Sequence, residues 1–158
     1  MRLELSLLSY YDKIVLKKKG NKRFIYGTIR KKYLVWTPEE LIRQLLLHYL
    51  MIEKNYPSHR IRVELGLRVN DLQKRCDILV FDQQLQPILL IECKAKDVPI
   101  NQGVLEQVAR YNLTFKVPFL VVTNGPVSYC AAVDLEQQTS VFLEAIPDYQ
   151  TLIDYQSN

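Results

Sequence analysis

The apolar positions change period along the chain, and each change marks an element. Over residues 37–54, Leu41, Ile42, Leu45, Leu46, Tyr49 and Ile52 recur at helical spacing. Thr37, Pro38 and Glu40 stand where an N-cap, an N1 proline and an N3 acid belong, so a helix is predicted to open at Thr37. Asn55-Tyr56-Pro57-Ser58 ends it. Strand-like segments follow at about 61–69, 76–82 and 88–94, separated by polar turns at Asn70-Asp71 and Gln83-Gln84. A second helix is expected over about 102–116, behind Pro99 and an Asn101 cap. Residues 119–123 read as a buried strand, and Asn124-Gly125 as a tight turn into a strand at about 127–134. The tail predicts a strand near 140–145 and a short helix after Pro147. Upstream, residues 23–36 read as two short strands around Gly27-Thr28.

The order helix, three strands, helix, strand, strand constrains the topology. Three central strands form a meander, and the second helix returns residues 119–123 parallel to one of them. The expectation is an α/β fold, a mixed β-sheet flanked by helices, in a single domain of 158 residues. Its parts are a basic N-terminal arm with a β-hairpin (1–36), a core (37–135) and a C-terminal extension (136–158). No repeat or low-complexity segment interrupts it.

Two of the apolar runs carry charge where a buried strand should carry none. Asp77 opens one; Glu92 and Lys94 close the other, two residues apart and so on one strand face. Burying an unpaired carboxylate or ammonium is costly. Two acids and a lysine gathered at strand ends are better explained by a metal site. Asp77, Glu92 and the backbone carbonyl of Cys93 supply oxygens of the kind magnesium prefers. Lys94 would face the same cavity, while Cys93 turns to the core with Leu89 and Ile91.

Charge sharpens this picture. Residues 1–36 hold ten Lys or Arg and two acids, a net of +8. Residues 37–158 hold eleven Lys or Arg and fifteen acids, a net of −4, which leaves the chain at +4. A basic arm joined to an acidic site suits a phosphodiester substrate; a solvated hairpin surface is the plainer reading. Cys76, Cys93 and Cys130 lie in apolar contexts and read as reduced core residues of a cytoplasmic protein. His48 and His59 lack zinc-ligand spacing. No apolar run approaches the roughly 20 residues of a membrane span, and the acid within the first eight residues speaks against a signal peptide.

Several motifs now stand together: Ile29-Arg30-Lys31-Lys32, Thr37-Pro38-Glu39-Glu40 with Arg43-Gln44, Lys74-Arg75 before Asp77, Ile91-Glu92-Cys93-Lys94, Glu106-Gln107 with Tyr111-Asn112, and Thr123-Asn124-Gly125. Over about residues 25–135 this pattern resembles the PD-(D/E)xK nuclease superfamily, and more closely the N-terminal nuclease domain of type I restriction enzyme R subunits. Cys76 stands where the superfamily's name has proline. The R subunits' ATP-dependent motor has no counterpart, for there is no Walker motif; the resemblance is to the nuclease domain as a free-standing protein.

The resemblance implies a restriction-endonuclease-like α-β-β-β-α-β core and a metal-dependent DNA endonuclease in which a metal-activated water cuts the phosphodiester bond. It implies Mg²⁺ or Mn²⁺ held by Asp77, Glu92, Glu40 and the Cys93 carbonyl. Lys94 would position the water and stabilise the transition state; Gln107 and Tyr111 would face the substrate backbone or Lys94. Arg30, Lys31, Lys32, Arg43 and Lys96 would contact DNA, with Arg43 alternatively orienting Glu40. A separate specificity or motor protein, and a homodimer, are compatible with it. Each residue has a plainer role beside this one. Glu40 completes a capping box with Thr37, and Arg43 is a surface residue. Asp77 is a strand-start residue satisfied by Arg75 or by backbone amides, Glu92 and Lys94 pair with each other at an exposed strand end, and Tyr111 is a core aromatic. The alternative function is a nuclease fold that binds nucleic acid or a partner without cutting.

Overall fold

The computed structural model describes residues 2–156; the side chains of Lys74, Tyr111 and Gln156 lie outside that description. Two sheets are present. The first is a three-stranded antiparallel sheet of β1 (Leu16–Lys19), β2 (Lys22–Gly27) and β3 (Lys32–Val35). The second has six strands in sequence order: β4 (Ile61–Val69), β5 (Leu72–Phe81), β6 (Pro87–Cys93), β7 (Phe119–Thr123), β8 (Ser128–Asp134) and β9 (Thr139–Leu143). All neighbours in it are antiparallel except β6 and β7, which are parallel. Helix α2 (Gln102–Asn112) is the crossover that this parallel pair requires. The expected mixed sheet and element order are therefore present.

Strand alternation sorts the core into two layers. Ile78, Val80, Leu89, Ile91 and Val121 pack with Ile42, Leu45 and Leu46 of α1 (Pro38–His48), and with Tyr149 and Leu152 of α3 (Tyr149–Gln156). Leu79, Leu90, Leu120 and Val122 pack on the other face with Leu105 and Ala109 of α2. The sheet thus lies between α1 with α3 and α2.

Three boundaries differ from expectation, each for a physical reason. The N-terminal arm is a three-stranded sheet rather than a hairpin. Strand β1 reads Leu-Lys-Lys-Lys and is exposed throughout, so it has no apolar alternation to betray it. Strand β5 starts at Leu72 rather than near 76; the left-handed Asn70 (φ 54°) turns the chain at once into a polar strand stretch. Helix α2 stops at Asn112 rather than near 116. Asn112 donates to the Val117 carbonyl at 2.6 Å, Lys116 is left-handed (φ 57°), and Pro118 keeps Val117 out of helical geometry. Helix α1 gives way to a π-helical turn, Tyr49–Glu53, close to the expected end.

The turn after β7 positions α1 and the segment following β6. Gly125 takes φ 97°, and a Cβ there would lie 2.6 Å from Cδ1 of Ile42 in α1. Its N–H donates to Thr123 Oγ1, while Asn124 accepts from the Val127 N–H and donates to the Val98 carbonyl. A Gly125→Ala substitution should cost about 1–3 kcal/mol through backbone strain and crowding of Ile42. Thermal unfolding checks this; a variant as stable as the parent would contradict the assigned turn.

Candidate active site

Glu40 lies at N3 of α1, and its backbone N–H donates to the Thr37 hydroxyl at 3.0 Å. Its carboxylate does not complete a capping box. One oxygen meets Arg43 at 3.4 Å and the other accepts from the Gln44 amide at 3.1 Å. The cap uses the main chain, so the buried carboxylate is free for other partners, and it turns to Arg43 and Gln44 of α1.

Arg43, expected to orient Glu40, to contact DNA or to lie on the surface, is buried at 5% exposure and meets Glu40. Its guanidinium lies 3.4 Å from Glu40, 3.3 Å from Glu64, 3.4 Å from Asp77 and 3.8 Å from Glu39. These separations are long for hydrogen bonds, so charge supplies most of the attraction. Burial alone would lower the Arg43 pKa, but Glu40 and Asp77 beside it raise it, so the group stays protonated. Arg43 is thus enclosed by acids and unavailable as a surface phosphate contact in this conformation.

Asp77 stands where the sheet opens. Strands β5 and β6 pair from Phe81 and Pro87 only as far as Ile78 and Ile91. Beyond that point Asp77 Oδ2 accepts from the Cys93 N–H at 2.7 Å, bridging the strands with a side chain, and Oδ1 faces Arg43. Arg75 bonds Glu64 instead of Asp77. The hairpin β4–β5 also changes face here. Ile61, Val63 and Ile78 belong to the α1 layer, whereas Leu67, Val69 and Cys76 belong to the α2 layer. Glu64 lies opposite Asp77 by the flanking pairs Val63–Ile78 and Leu65–Cys76, and has φ 51°. Such a local twist re-aims side chains at a strand, and here it sends both carboxylates to Arg43.

Glu92 is buried near the end of β6, opposite Val122 of β7. Cys93 is buried on the α1 side with Leu89 and Ile91, as expected. Lys94 follows the strand and is exposed; its N–H still donates to the Thr123 carbonyl at 2.8 Å. A cleft of about 480 Å³ is lined by Arg30, Leu34, Glu40, Arg43, Glu64 and Ala95 among others; Asp77, Glu92 and Lys94 are not among its lining residues. Arg30 pairs with Glu64 at 2.6 Å, which ties the β2–β3 turn to β4. Lys31 and Lys32 are exposed nearby in sequence, and Lys96 is exposed beside Gly125 and Pro126. Gln107 is exposed on α2 and lies outside the Arg43 network. The side chain of Tyr111 falls outside the described residues.

Glu64 escaped the sequence reading, and its role as the meeting point of Arg30, Arg43 and Arg75 carried no local signal. The face change is equally silent, since Ile61, Val63, Leu65, Leu67 and Val69 keep one parity throughout. Among the described residues, no group of three or more His, Cys, Asp or Glu is disposed to hold a metal ion. The donor chemistry nevertheless fits a hard divalent cation. Magnesium takes oxygen donors and is commonly held by one or two carboxylates and several waters, and Asp77 is already oriented by the Cys93 N–H.

Burial raises the Glu64 carboxyl, but Arg43, Arg30 and Arg75 outweigh it and hold the pKa below the usual range. A carboxyl so depressed stabilises the fold above its unfolded pKa of about 4.3 and loses that contribution as pH falls through the folded value. Glu64→Gln should therefore cost about 1–3 kcal/mol at pH 7, and the gap to the parent should close below about pH 4. Denaturant unfolding across pH measures it; a gap independent of pH would contradict the ion-pair account.

Among the described residues, no helix is long and apolar enough to cross a membrane. No curated protein matches the chain. The family model described as type I restriction enzyme R protein N terminus matches residues 38–147, from the start of α1 to the segment before α3. That span holds Glu40, Arg43, Glu64, Asp77, Glu92 and Lys94, and it is well over half the sequence. The chain belongs to the type I restriction enzyme R protein N-terminus family.

Proposed function

We propose that the protein is a metal-dependent DNA endonuclease, with its site where β5 and β6 part. The observation that carries this reading is the Asp77 carboxylate bridging to the Cys93 N–H, which holds an acid beside the strand end bearing Glu92 and Lys94. A structural ion pair needs no such arrangement at a strand fork. Membership of a restriction enzyme subunit family supports DNA as the substrate.

Asp77, Glu92 and the Cys93 carbonyl would hold Mg²⁺ or Mn²⁺. A divalent cation in such a site neutralises phosphate charge and acidifies a bound water. The chain's own groups do the rest. The Cys93 N–H fixes the Asp77 carboxylate, and Arg43 fixes its second oxygen. Glu40 acts on this set through Arg43, because both its oxygens are already turned to α1 partners. Lys94 is exposed, so its ammonium reaches a phosphate entering from solvent and offsets the negative charge that develops on its oxygens. Lys31, Lys32 and Lys96 supply further positive charge around the path of the backbone. Gln107 and Tyr111 remain candidates for contacts to that backbone from α2.

A second reading is a DNA-binding module that does not cut, in company with a protein that supplies motor or specificity. It is favoured by the position of Arg43, which already pairs with Glu40, Glu64 and Asp77. Nicking of supercoiled plasmid separates the two. The nuclease reading expects cleavage dependent on Mg²⁺ or Mn²⁺, reduced by at least roughly 100-fold in Lys94→Ala and Asp77→Asn while both variants stay folded. Binding without metal-dependent cleavage, or equal rates in parent and variants, would overturn it.

A further inference from the structure

The outer face of the N-terminal sheet plays no part in the site described above. Its register places Lys17 opposite Phe24 and Phe24 opposite Val35, Tyr26 opposite Tyr33, and Lys19 opposite Lys22. Residues opposite each other in an antiparallel pair share a face, and alternate residues along a strand do too. Lys17, Lys19, Lys22, Phe24, Tyr26 and Tyr33 therefore stand together on one side. The reverse side carries Ile25, which is wholly buried, and the adjoining Thr28 N–H bonds Gln44 of α1. The lysine-and-aromatic side is thus the one turned from the core.

Its chemistry is selective. Tyr33 is 42% exposed, with its ring 5.4 Å from Tyr26 in an edge-on arrangement and the Lys17 ammonium 5.0 Å from its centroid. Phe24 and Tyr26 are half-buried, and the three lysines are exposed. Residues 13–38 contain nine Lys or Arg and no Asp or Glu. A face meant only to remain soluble does not need aromatic rings, and a face meant only to attract charge does not need them either. Rings set among lysines on a sheet match unstacked bases joined by phosphates, which offer π-faces and negative charge at base spacing. A duplex keeps its bases stacked inside and offers such a surface its phosphates alone.

We propose that this face is a stacking platform for single-stranded DNA, with Tyr33 and Phe24 under bases and Lys17, Lys19 and Lys22 on the backbone. Strand β3 carries the platform to the cleft, since Leu34 and Val35 line the cleft beside Glu40 and Arg43. The platform extends the proposed function by naming the form of DNA held next to the cleft; its match to unstacked bases and phosphates stands on this face's own chemistry, and the choice of DNA over RNA rests on that reading.

The test is binding of a fluorescent oligo-dT of about 20 nucleotides, followed by anisotropy, with a duplex of equal length, an oligo-U and anionic lipid vesicles as competitors. The expected result is preference for the single DNA strand. Tyr33→Ala and Phe24→Leu should each weaken binding by about tenfold, and Lys17→Ala should reduce the slope of log K against log salt by about 1. Equal affinity for duplex and single strand, indifference to both aromatic substitutions in folded variants, or preference for RNA or vesicles would each overturn the platform. Selective binding by a protein that never cuts would leave the platform standing and overturn the nuclease reading, so the two failures are distinguishable.

Discussion

Arg43 carries a full charge in a setting that is almost wholly removed from water, and the site depends on how that charge is matched. A buried guanidinium is tolerated only with close anionic partners, since one stripped of its partners is an uncompensated charge worth about 3–5 kcal/mol. Its partners come from three places: Glu39 and Glu40 on α1, Glu64 on β4 and Asp77 on β5. The same cation therefore sets the distance between the first helix and the β4–β5 hairpin. Through Glu64 and Arg30 it also reaches the N-terminal sheet. An acidic cluster that would repel itself is held together by this buried cation, with Arg30 and Arg75 added at Glu64.

The hairpin's face change follows from the same demand. An uninterrupted β4–β5 pair would keep one set of side chains on each face along its length. Instead the strands exchange faces at Glu64 and Asp77, and β5 lets go of β6 just beyond Ile78. The freed Cys93 N–H is satisfied by Asp77 rather than by a neighbouring strand. On the far side of β6, the Thr123-Asn124-Gly125 turn fastens the segment after the strand, through Lys94 N–H to Thr123 and Asn124 to Val98. The fork is thus supported on both sides, which places Asp77, Glu92 and Lys94 on well-fixed backbone.

What was legible in the sequence and what was not divide along physical lines. Helix α1 announced itself through its cap and its apolar spacing, and the strands of the core through apolar runs too short for helices. Charge at the ends of those runs drew attention to Asp77, Glu92 and Lys94; the cost of burial applies to Glu92, which is buried, and not to Lys94, which follows β6 and is exposed. Strand β1 stayed hidden because nothing on it is buried. Glu64 stayed hidden because its importance comes from a left-handed backbone and from arginines far away in sequence. Arg43 was visible as a motif residue, but its burial among four acids is a property of packing between elements, which no local pattern encodes.

The central claim is that the fork at Asp77 and Glu92 is a cation site kept in shape by Arg43. The most direct measurement is the anomalous X-ray signal of crystals soaked in Mn²⁺. The account predicts a peak within coordinating distance of Asp77 and Glu92, lost in crystals of Asp77→Asn. A peak elsewhere, or none at this fork while Arg43 remains bound to the acids, would contradict it.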